Sequence, residues 1–238
     1  MKKVVISLGG SILVPSLDTH RVQEWASALR TLAEQYSLFC ICGGGGEARR
    51  YISVGRDLGC DEATADELGI MVTRVNAFLL VSALGDAAYP LIPATYREAK
   101  EAALHNRIVV MGGVTPGQTT DAVSAILAEE VSADLLVNMT VVDGIYSADP
   151  KKDPSAERFT TMTPKALIDI IMKERMGAGS NMIVDLVAAK VIERSGIPFI
   201  VMDGRNPDDI ITALSTGTFS GTLVSDHPET AIPLSAKK

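Results

Sequence analysis

The sequence predicts an α/β protein, a three-layer αβα sandwich around a mostly parallel sheet. Two observations carry that reading. Short apolar, β-branched runs alternate along the chain with segments of helical period, the pattern of strands joined by crossover helices. Five of the runs stop at a glycine pair, a threonine or an Asp-Gly: Gly9-Gly10, Gly43 to Gly46, Gly112-Gly113, Thr140 followed by Asp143-Gly144, and Asp203-Gly204. Parallel strands are covered on both faces, and their ligands lie beyond their carboxyl ends. Several such turns on one sheet edge point to an extended phosphate-bearing ligand, or to two.

Taken in order, Val4 to Leu8 reads as a buried strand and residues 19–36 as a helix, with Val22, Trp25, Ala26, Leu29, Leu32 and Ala33 at helical spacing. Leu38 to Cys42 is the second strand; helices are expected over 47–59 and 65–84. Tyr89 to Pro93 reads as a short extended piece, 95–104 as helix, Arg107 to Met111 as strand and 120–132 as helix. Asp134 to Met139 is the next strand, and the acidic, proline-containing stretch 148–157 is a loop. Helices over 164–173 and 182–195 lead to a strand from Pro198 to Met202. A helix over 207–215 follows, then a hairpin over 217–224 and a weakly ordered tail.

Composition bounds the function. With 238 residues, 47% hydrophobic and 21% charged, the chain is an ordinary globular protein in size and polarity. A net charge of −7 argues against general nucleic-acid binding, and 5% aromatic residues against single-strand stacking platforms. Cys40, Cys42 and Cys60 lack metal-ligand spacing and read as buried reduced thiols. His20, His105 and His227 are scattered and read as surface residues. The apolar stretch after Lys3 ends at Gly9, too short for a signal peptide or a membrane helix, so a cytoplasmic location is expected.

The tetraglycine Gly43 to Gly46 is the strongest single feature. Glycines let a ligand approach the backbone closely, and amides at a helix start attract phosphate. It is not a Walker A loop, because no Gly-Lys-Ser/Thr follows. It does satisfy G-x-G-x-x-A through Gly43, Gly45 and Ala48, with Asp61, Glu62 and Asp66 placed to hold a ribose, so a dinucleotide-binding domain is the alternative of another class. That alternative leaves Gly9-Gly10-Ser11 and Thr119-Thr120-Asp121 without a purpose.

The motifs together are more specific. Gly9-Gly10-Ser11, the tetraglycine with Arg49, Asp66, Asn76-Ala77, the run from Gly112 to Asp121, Thr140 to Pro150 with its Asp-Gly-Ile-Tyr-Ser-Ala-Asp-Pro string, Asp185 and Gly221 to Val224 span nearly the whole chain. In these the sequence resembles the amino acid kinase superfamily, and within it the archaeal type of uridylate (UMP) kinase. The resemblance implies the corresponding αβα fold as a single domain over 1–238. Its acceptor-binding lobe would cover about 1–135 and its ATP-binding lobe about 136–225. It implies transfer of the ATP γ-phosphate to UMP in pyrimidine nucleotide synthesis, with Mg²⁺ carried in by ATP and no metal ligand assigned on the protein. A homohexamer is implied, with the 65–84 helix contributing to an interface, and no polymer or membrane partner.

Roles are implied residue by residue. Gly9, Gly10, Gly45 and Arg49 would hold the triphosphate, and Thr140, Tyr146 and Asp149 the adenosine. Gly44 would lie against the UMP phosphate, and Asp66 would accept hydrogen bonds from the ribose. Val114, Thr115, Pro116, Gly117, Gln118, Thr119 and Thr120 would surround uridine. Asp121 and Asp185 would orient cationic groups, and Arg49 would supply charge to the moving phosphoryl group. One position departs from the wider superfamily: Ser7 stands where a lysine often bridges the two phosphates. Lys152, Lys190, Arg49 and Mg²⁺ are the candidate replacements. The remaining alternatives are another phosphotransferase of the superfamily, such as an isopentenyl phosphate kinase, or a non-catalytic nucleotide-binding protein on the same fold.

Overall fold

The computed structural model describes residues 1–16, 20–150, 152–175 and 184–232. In chain order the elements are β1 (Lys2–Leu8), α1 (Gly10–Leu13), α2 (His20–Ala33), β2 (Tyr36–Cys42), α3 (Gly45–Asp57), α4 (Glu62–Leu84), α5 (Tyr96–Ala102), β3 (Val109–Met111), α6 (Thr120–Glu130) and β4 (Leu135–Thr140). There follow β5 (Thr161–Met162), α7 (Pro164–Arg175), α8 (Leu186–Ser195), β6 (Phe199–Asp203), α9 (Asp208–Thr216) and β7 (Gly221–Val224). The described strands form one sheet in the order β3-β2-β1-β4-β6-β7-β5. All neighbours run parallel except β6 and β7. The carboxyl ends of β1, β2, β3, β4 and β6 therefore share one edge, which carries all five turn signals.

Alternation along β1 divides the core. Val4, Ile6 and Leu8 face a cluster with Trp25 and Leu29 of α2, Leu80 of α4 and Ile210 of α9. Val5 faces the other cluster, with Val123 and Leu127 of α6 and Ala188 of α8. The period of two puts Ser7 on the α6 side, and this small polar residue is 3% exposed there. Leu80 is fully buried, and truncating such a side chain to alanine costs about 2–5 kcal/mol. Cys40 and Cys42 project into the α2/α4 cluster, where burial pushes both thiols up and keeps them neutral, whereas Cys60, between α3 and α4, is only partly buried.

Some expected elements differ. Residues 89–93 form no strand: Pro90 and Pro93 bring no amide donors, and only Ala88 pairs with Ile108. No hairpin forms over 217–224, because Gly217 is the left-handed C-cap of α9 (φ 77°) and β7 pairs instead with β6 and β5. The helix expected over 182–195 begins at Leu186, where Asp185 caps it; residues 182–183 lie outside those described. The tail does not simply trail away after Val224: Ala231 is buried and Ile232 packs on the core. The four-residue α1 and two-residue β5 carry no periodicity and were not legible.

Candidate active site

The first two glycine turns interlock. The Gly43 amide donates to the Leu8 carbonyl at 2.8 Å, and the Gly9 amide to the Met139 carbonyl at 3.0 Å, so the turns after β1, β2 and β4 are tied together. A Cβ on Gly10 would lie 2.2 Å from the Gly45 nitrogen, and one on Gly45 would lie 2.7 Å from the Gly10 carbonyl carbon. Gly45 adopts φ +65°, a region that glycine enters without a steric cost. A Cβ on Gly44 points elsewhere, 2.3 Å from Ala48 Cβ and 3.4 Å from Thr73 Cγ2. One turn thus presents Gly45 to the β1 turn and Gly44 to Ala48 of α3 and Thr73 of α4. The free amides at the start of α3 lie at this junction, a natural seat for anions.

Helix α4 holds the neighbouring loops. It begins with Asp61 accepting from the Thr64 amide at 2.8 Å. From its interior, Asn76 Nδ2 donates to the Gly43 carbonyl at 2.8 Å. Thr73 Oγ1 accepts from the Gly113 amide at 2.7 Å and donates to the Ile70 carbonyl at 2.6 Å. Arg74 Nε donates to the Gly113 carbonyl at 3.3 Å, and Asp66 Oδ2 accepts from the Gly117 amide at 2.7 Å. These side chains pin the turns after β2 and β3 about a cavity of about 360 Å³. Asp66, Gly117, Gln118, Thr119 and Thr120 line it, over a floor that includes Ile52. Tyr96 of α5 donates from Oη to Gln118 Oε1 at 3.0 Å and so fixes which end of that amide faces inward. Val114, Thr115 and Pro116, expected at the ligand, do not line this cavity. Val114 packs against the core, and the Thr115 carbonyl closes the loop by accepting from the Gln118 amide at 3.3 Å.

Two helix caps meet beside the cavity. Thr119 caps α6, accepting from the Ala122 amide at 3.2 Å, and Asp185 caps α8, accepting from the Ala188 amide at 2.9 Å. Thr119 Oγ1 also donates to Asp185 Oδ2, joining the two helix starts. Two residues on, Asp121 Oδ1 accepts from Ser7 Oγ and from Asn138 Nδ2, both at 3.3 Å. The residue as a whole keeps some exposure, but its carboxyl is enclosed with Ser7, Ser124 and Asn138. Burial, and then the charge of Asp185, push it up to about 7 against the Ser7 hydrogen bond. The two carboxyls repel each other when both are ionised, which a cation would relieve, while the helix N-termini behind them already offset part of that charge. Among the described residues no three His, Cys, Asp or Glu side chains converge as a metal cage. A divalent ion fitting here would take most of its ligands from elsewhere, and the chain would add these two carboxylates.

On the far side of β4, the Thr140 carbonyl accepts from the Gly204 amide at 2.8 Å. Tyr146 Oη donates to Asp143 Oδ1 at 2.9 Å. The Asp149 carbonyl accepts the Lys152 and Asp153 amides at 2.9 Å each. Of the cations proposed to replace a lysine at Ser7, Lys152 lies 3.9 Å from the Asp149 carboxylate and Lys190 is held by Glu193 at 2.9 Å. Arg49 is exposed, with no hydrogen bond or ion pair among the described residues, whereas Arg50 is paired with Glu47. The dinucleotide alternative loses two of its three ribose carboxylates, since Asp61 is a helix cap and Glu62 is paired with Arg56 at 2.6 Å, and its glycine run follows the second strand. All three histidines are exposed. A larger cavity of about 620 Å³ opens between Lys3, Arg30, Tyr36 and Arg107, at the amino-terminal strand ends and away from every glycine turn.

Residues 2–203 match the model of the amino acid kinase family. The chain belongs to that family. The chain is 61% identical to a uridylate kinase of Methanocorpusculum labreanum, over 95% of this chain and 97% of that protein. It is 57% identical to a uridylate kinase of Methanoculleus marisnigri, over 98% and 100%. The crystal structure of uridylate kinase from Archaeoglobus fulgidus superposes with a TM-score of 0.85 at 43% identity, covering 94% of this chain and 100% of that one. The mostly parallel seven-stranded sheet is thus the amino acid kinase fold, as expected from the sequence. Within this family member, Thr73, Arg74, Tyr96 and Asn138 join the site without having been singled out. Thr73 and Asn76 repeat the α4 face of Asp66, seven and ten residues on, which is the one signal that pointed to Thr73.

Proposed function

We propose that this chain is a UMP kinase, transferring the γ-phosphoryl group of ATP to UMP to give ADP and UDP in pyrimidine nucleotide synthesis. The observation that carries the reading is the interlocked pair of glycine turns beside a cavity bearing Asp66 and Gln118. A nucleoside monophosphate fits there with its ribose at Asp66 and its phosphate at Gly44, which faces the cavity residues Ala48 and Thr73. The triphosphate fits at Gly9, Gly10 and Gly45, and the adenosine against Thr140, Tyr146 and Asp149. The names of the similar proteins support the choice of UMP. The 117–120 part of the loop offers a uracil both backbone groups and the Gln118 amide, a set that leaves a base of opposite donor pattern unpaired.

In the transfer, an oxygen of the UMP phosphate attacks the γ-phosphorus as the bond to the ADP oxygen breaks. The acceptor is already an anion, so no general base is needed, and catalysis rests on positioning and positive charge. Backbone amides of both turns hold the phosphates in line, and Arg49 offers a planar fork of donors to the moving group. Mg²⁺ arriving with ATP supplies charge neutralisation, and Asp121 and Asp185 would hold it. Ser7 and Asn138 keep Asp121 in place.

The acceptor would thus be bound by a lobe of about residues 1–135 and ATP by one of about 136–225. A location in the cytoplasm accords with such a metabolic role, which calls for no polymer or membrane partner. Helix α4 is long and apolar enough to span a membrane, but it packs against α2 and α3 and carries Asp66 and Asn76. Its uncovered stripe, Met71, Val75 and Phe78, and the α3 stripe, Tyr51, Val54 and Leu58, suit burial against a second copy in a homohexamer. Radiolabel moving from [γ-³²P]ATP into UDP, dependent on UMP and on Mg²⁺, is the expected result. Label appearing only in inorganic phosphate would refute the reading.

A further inference from the structure

We infer that Arg158 is a positioning residue for the ATP side, fixing the 143–147 loop and cancelling the Asp143 charge so that Tyr146 meets the nucleotide correctly. The inference rests on the assignment of Tyr146 to the ATP side. It starts from the loop after β4, which belongs to no helix or strand and therefore needs its shape imposed from outside. The 157–159 segment imposes it. The Phe159 amide donates to the Ile145 carbonyl and the Ser147 amide to the Glu157 carbonyl, both at 2.9 Å, and Tyr146 bridges Arg158 in antiparallel fashion.

The Arg158 side chain adds the rest. Its Nη1 lies 2.9 Å from the Asp143 carbonyl, 2.8 Å from Asp143 Oδ2 and 2.9 Å from Ser220 Oγ, just before β7. The other carboxylate oxygen of Asp143 takes the Tyr146 hydroxyl at 2.9 Å. Gly144, at φ +146°, leaves room for the arginine stem: a Cβ there would lie 2.8 Å from Arg158 Cδ and 2.7 Å from Thr222 Oγ1. Thr222 Oγ1 in turn accepts from the Ile145 amide at 2.8 Å. Arg158 Nη1, both carboxylate oxygens of Asp143 and the Tyr146 hydroxyl thus form one relay. The arginine is 28% exposed and its Asp143 partner 45%, so the pair is partly screened and its weight rests on the shared geometry of the loop. Without Arg158, Asp143 would keep only Arg205, itself held by Asp203, to offset its charge before an incoming polyanion, and the tyrosine would lose its fixed acceptor geometry.

The test compares wild type, Arg158→Met, Arg158→Lys and the double variant Arg158→Met/Asp143→Asn. KM for ATP and for UMP are measured separately, with thermal denaturation of each variant. Arg158→Met is expected to raise KM for ATP about tenfold, the scale of one charge-assisted contact, with KM for UMP unchanged. Arg158→Lys should recover part of that loss, and Asp143→Asn added to Arg158→Met should recover part as well, because the unpaired charge is gone. An unchanged KM for ATP, equal rises in both KM values, or a further loss in the double variant would overturn the inference. Should Arg158→Met not fold, Ser220→Ala removes one anchor only, and a KM for ATP unchanged in it would count against the relay. Direct titration with ATP keeps the two proposals apart: a wild type that binds ATP but turns over no UMP refutes the function, while weakened ATP binding in Arg158→Met still supports the relay.

Discussion

Gly10 and Gly45 touch backbone to backbone: a Cβ on the first would overlap the amide nitrogen of the second at 2.2 Å. Two phosphate-binding turns can only be pressed this closely if neither carries a side chain. Gly10→Ala or Gly45→Ala should therefore cost on the order of 3 kcal/mol and at least a hundredfold in turnover. Gly46→Ala is the control, because nothing lies within 4 Å of its Cβ position and it sits in a helix. It should keep its melting temperature and its activity. Thermal denaturation and steady-state kinetics of the three variants decide the matter.

Asp121 has a folded-state carboxyl raised from 3.8 to about 7. A group raised on folding stabilises the native state fully below the unfolded value, near pH 4. That contribution is lost as pH climbs through about 7. At pH 8 the wild type thus carries an ionised, enclosed carboxylate next to Asp185. Asp121→Asn should relieve this, and its stability gain at pH 8 should exceed that at pH 4.5 by about 1–2 kcal/mol, allowing for partial solvent screening. Turnover should meanwhile fall sharply. Urea denaturation at the two pH values checks the first part; a gain independent of pH would contradict it.

Asp185→Asn keeps an oxygen to cap α8 but loses the charge and the acceptor for Thr119. Turnover should drop about a hundredfold or more, as for the loss of a group that acts in the transition state. The UMP dissociation constant should stay within about threefold by the same measure. Calorimetric titration with UMP, beside the rate, separates the two; an equal loss in both would assign Asp185 to acceptor binding.

Tyr96→Phe removes the hydroxyl that orients Gln118 and leaves the ring in place. KM for UMP should rise about fivefold, the worth of one neutral hydrogen bond, while KM for ATP holds. Initial rates with each substrate varied in turn provide the check.

Much of the fold was legible because its signals are local. Val4 to Leu8 and Leu38 to Cys42 announce buried strands through composition, and Gly9, Gly43 and Gly112 mark where they end. One sheet edge followed from the parallel order that helix-strand alternation demands. The expected hairpin failed because Gly217 serves a helix end, not a strand turn. The site's glycines and capping residues were readable for the same local reason. Thr73, Tyr96 and Arg158 were not, since their partners, Gly113, Gln118 and Asp143, belong to segments that only the tertiary fold brings near.

Arg49 tests the charge supply left open by Ser7. It is exposed and unpaired among the described residues, on the helix that starts at the glycine junction. Arg49→Lys keeps the charge and loses the planar fork, so turnover should fall about tenfold. Unchanged turnover would show that bidentate contact is not what this residue provides.

The central claim is that the cavity beside the glycine junction seats UMP as phosphoryl acceptor. Coupled ADP-release kinetics on the wild-type chain with Mg²⁺-ATP and a panel of acceptors, UMP, CMP, isopentenyl phosphate and acetylglutamate, test it most directly. The account predicts fast turnover with UMP, on the order of 1–100 s⁻¹, and far slower release with isopentenyl phosphate and acetylglutamate. Preferred turnover of isopentenyl phosphate, or ADP release indifferent to any acceptor, would contradict it.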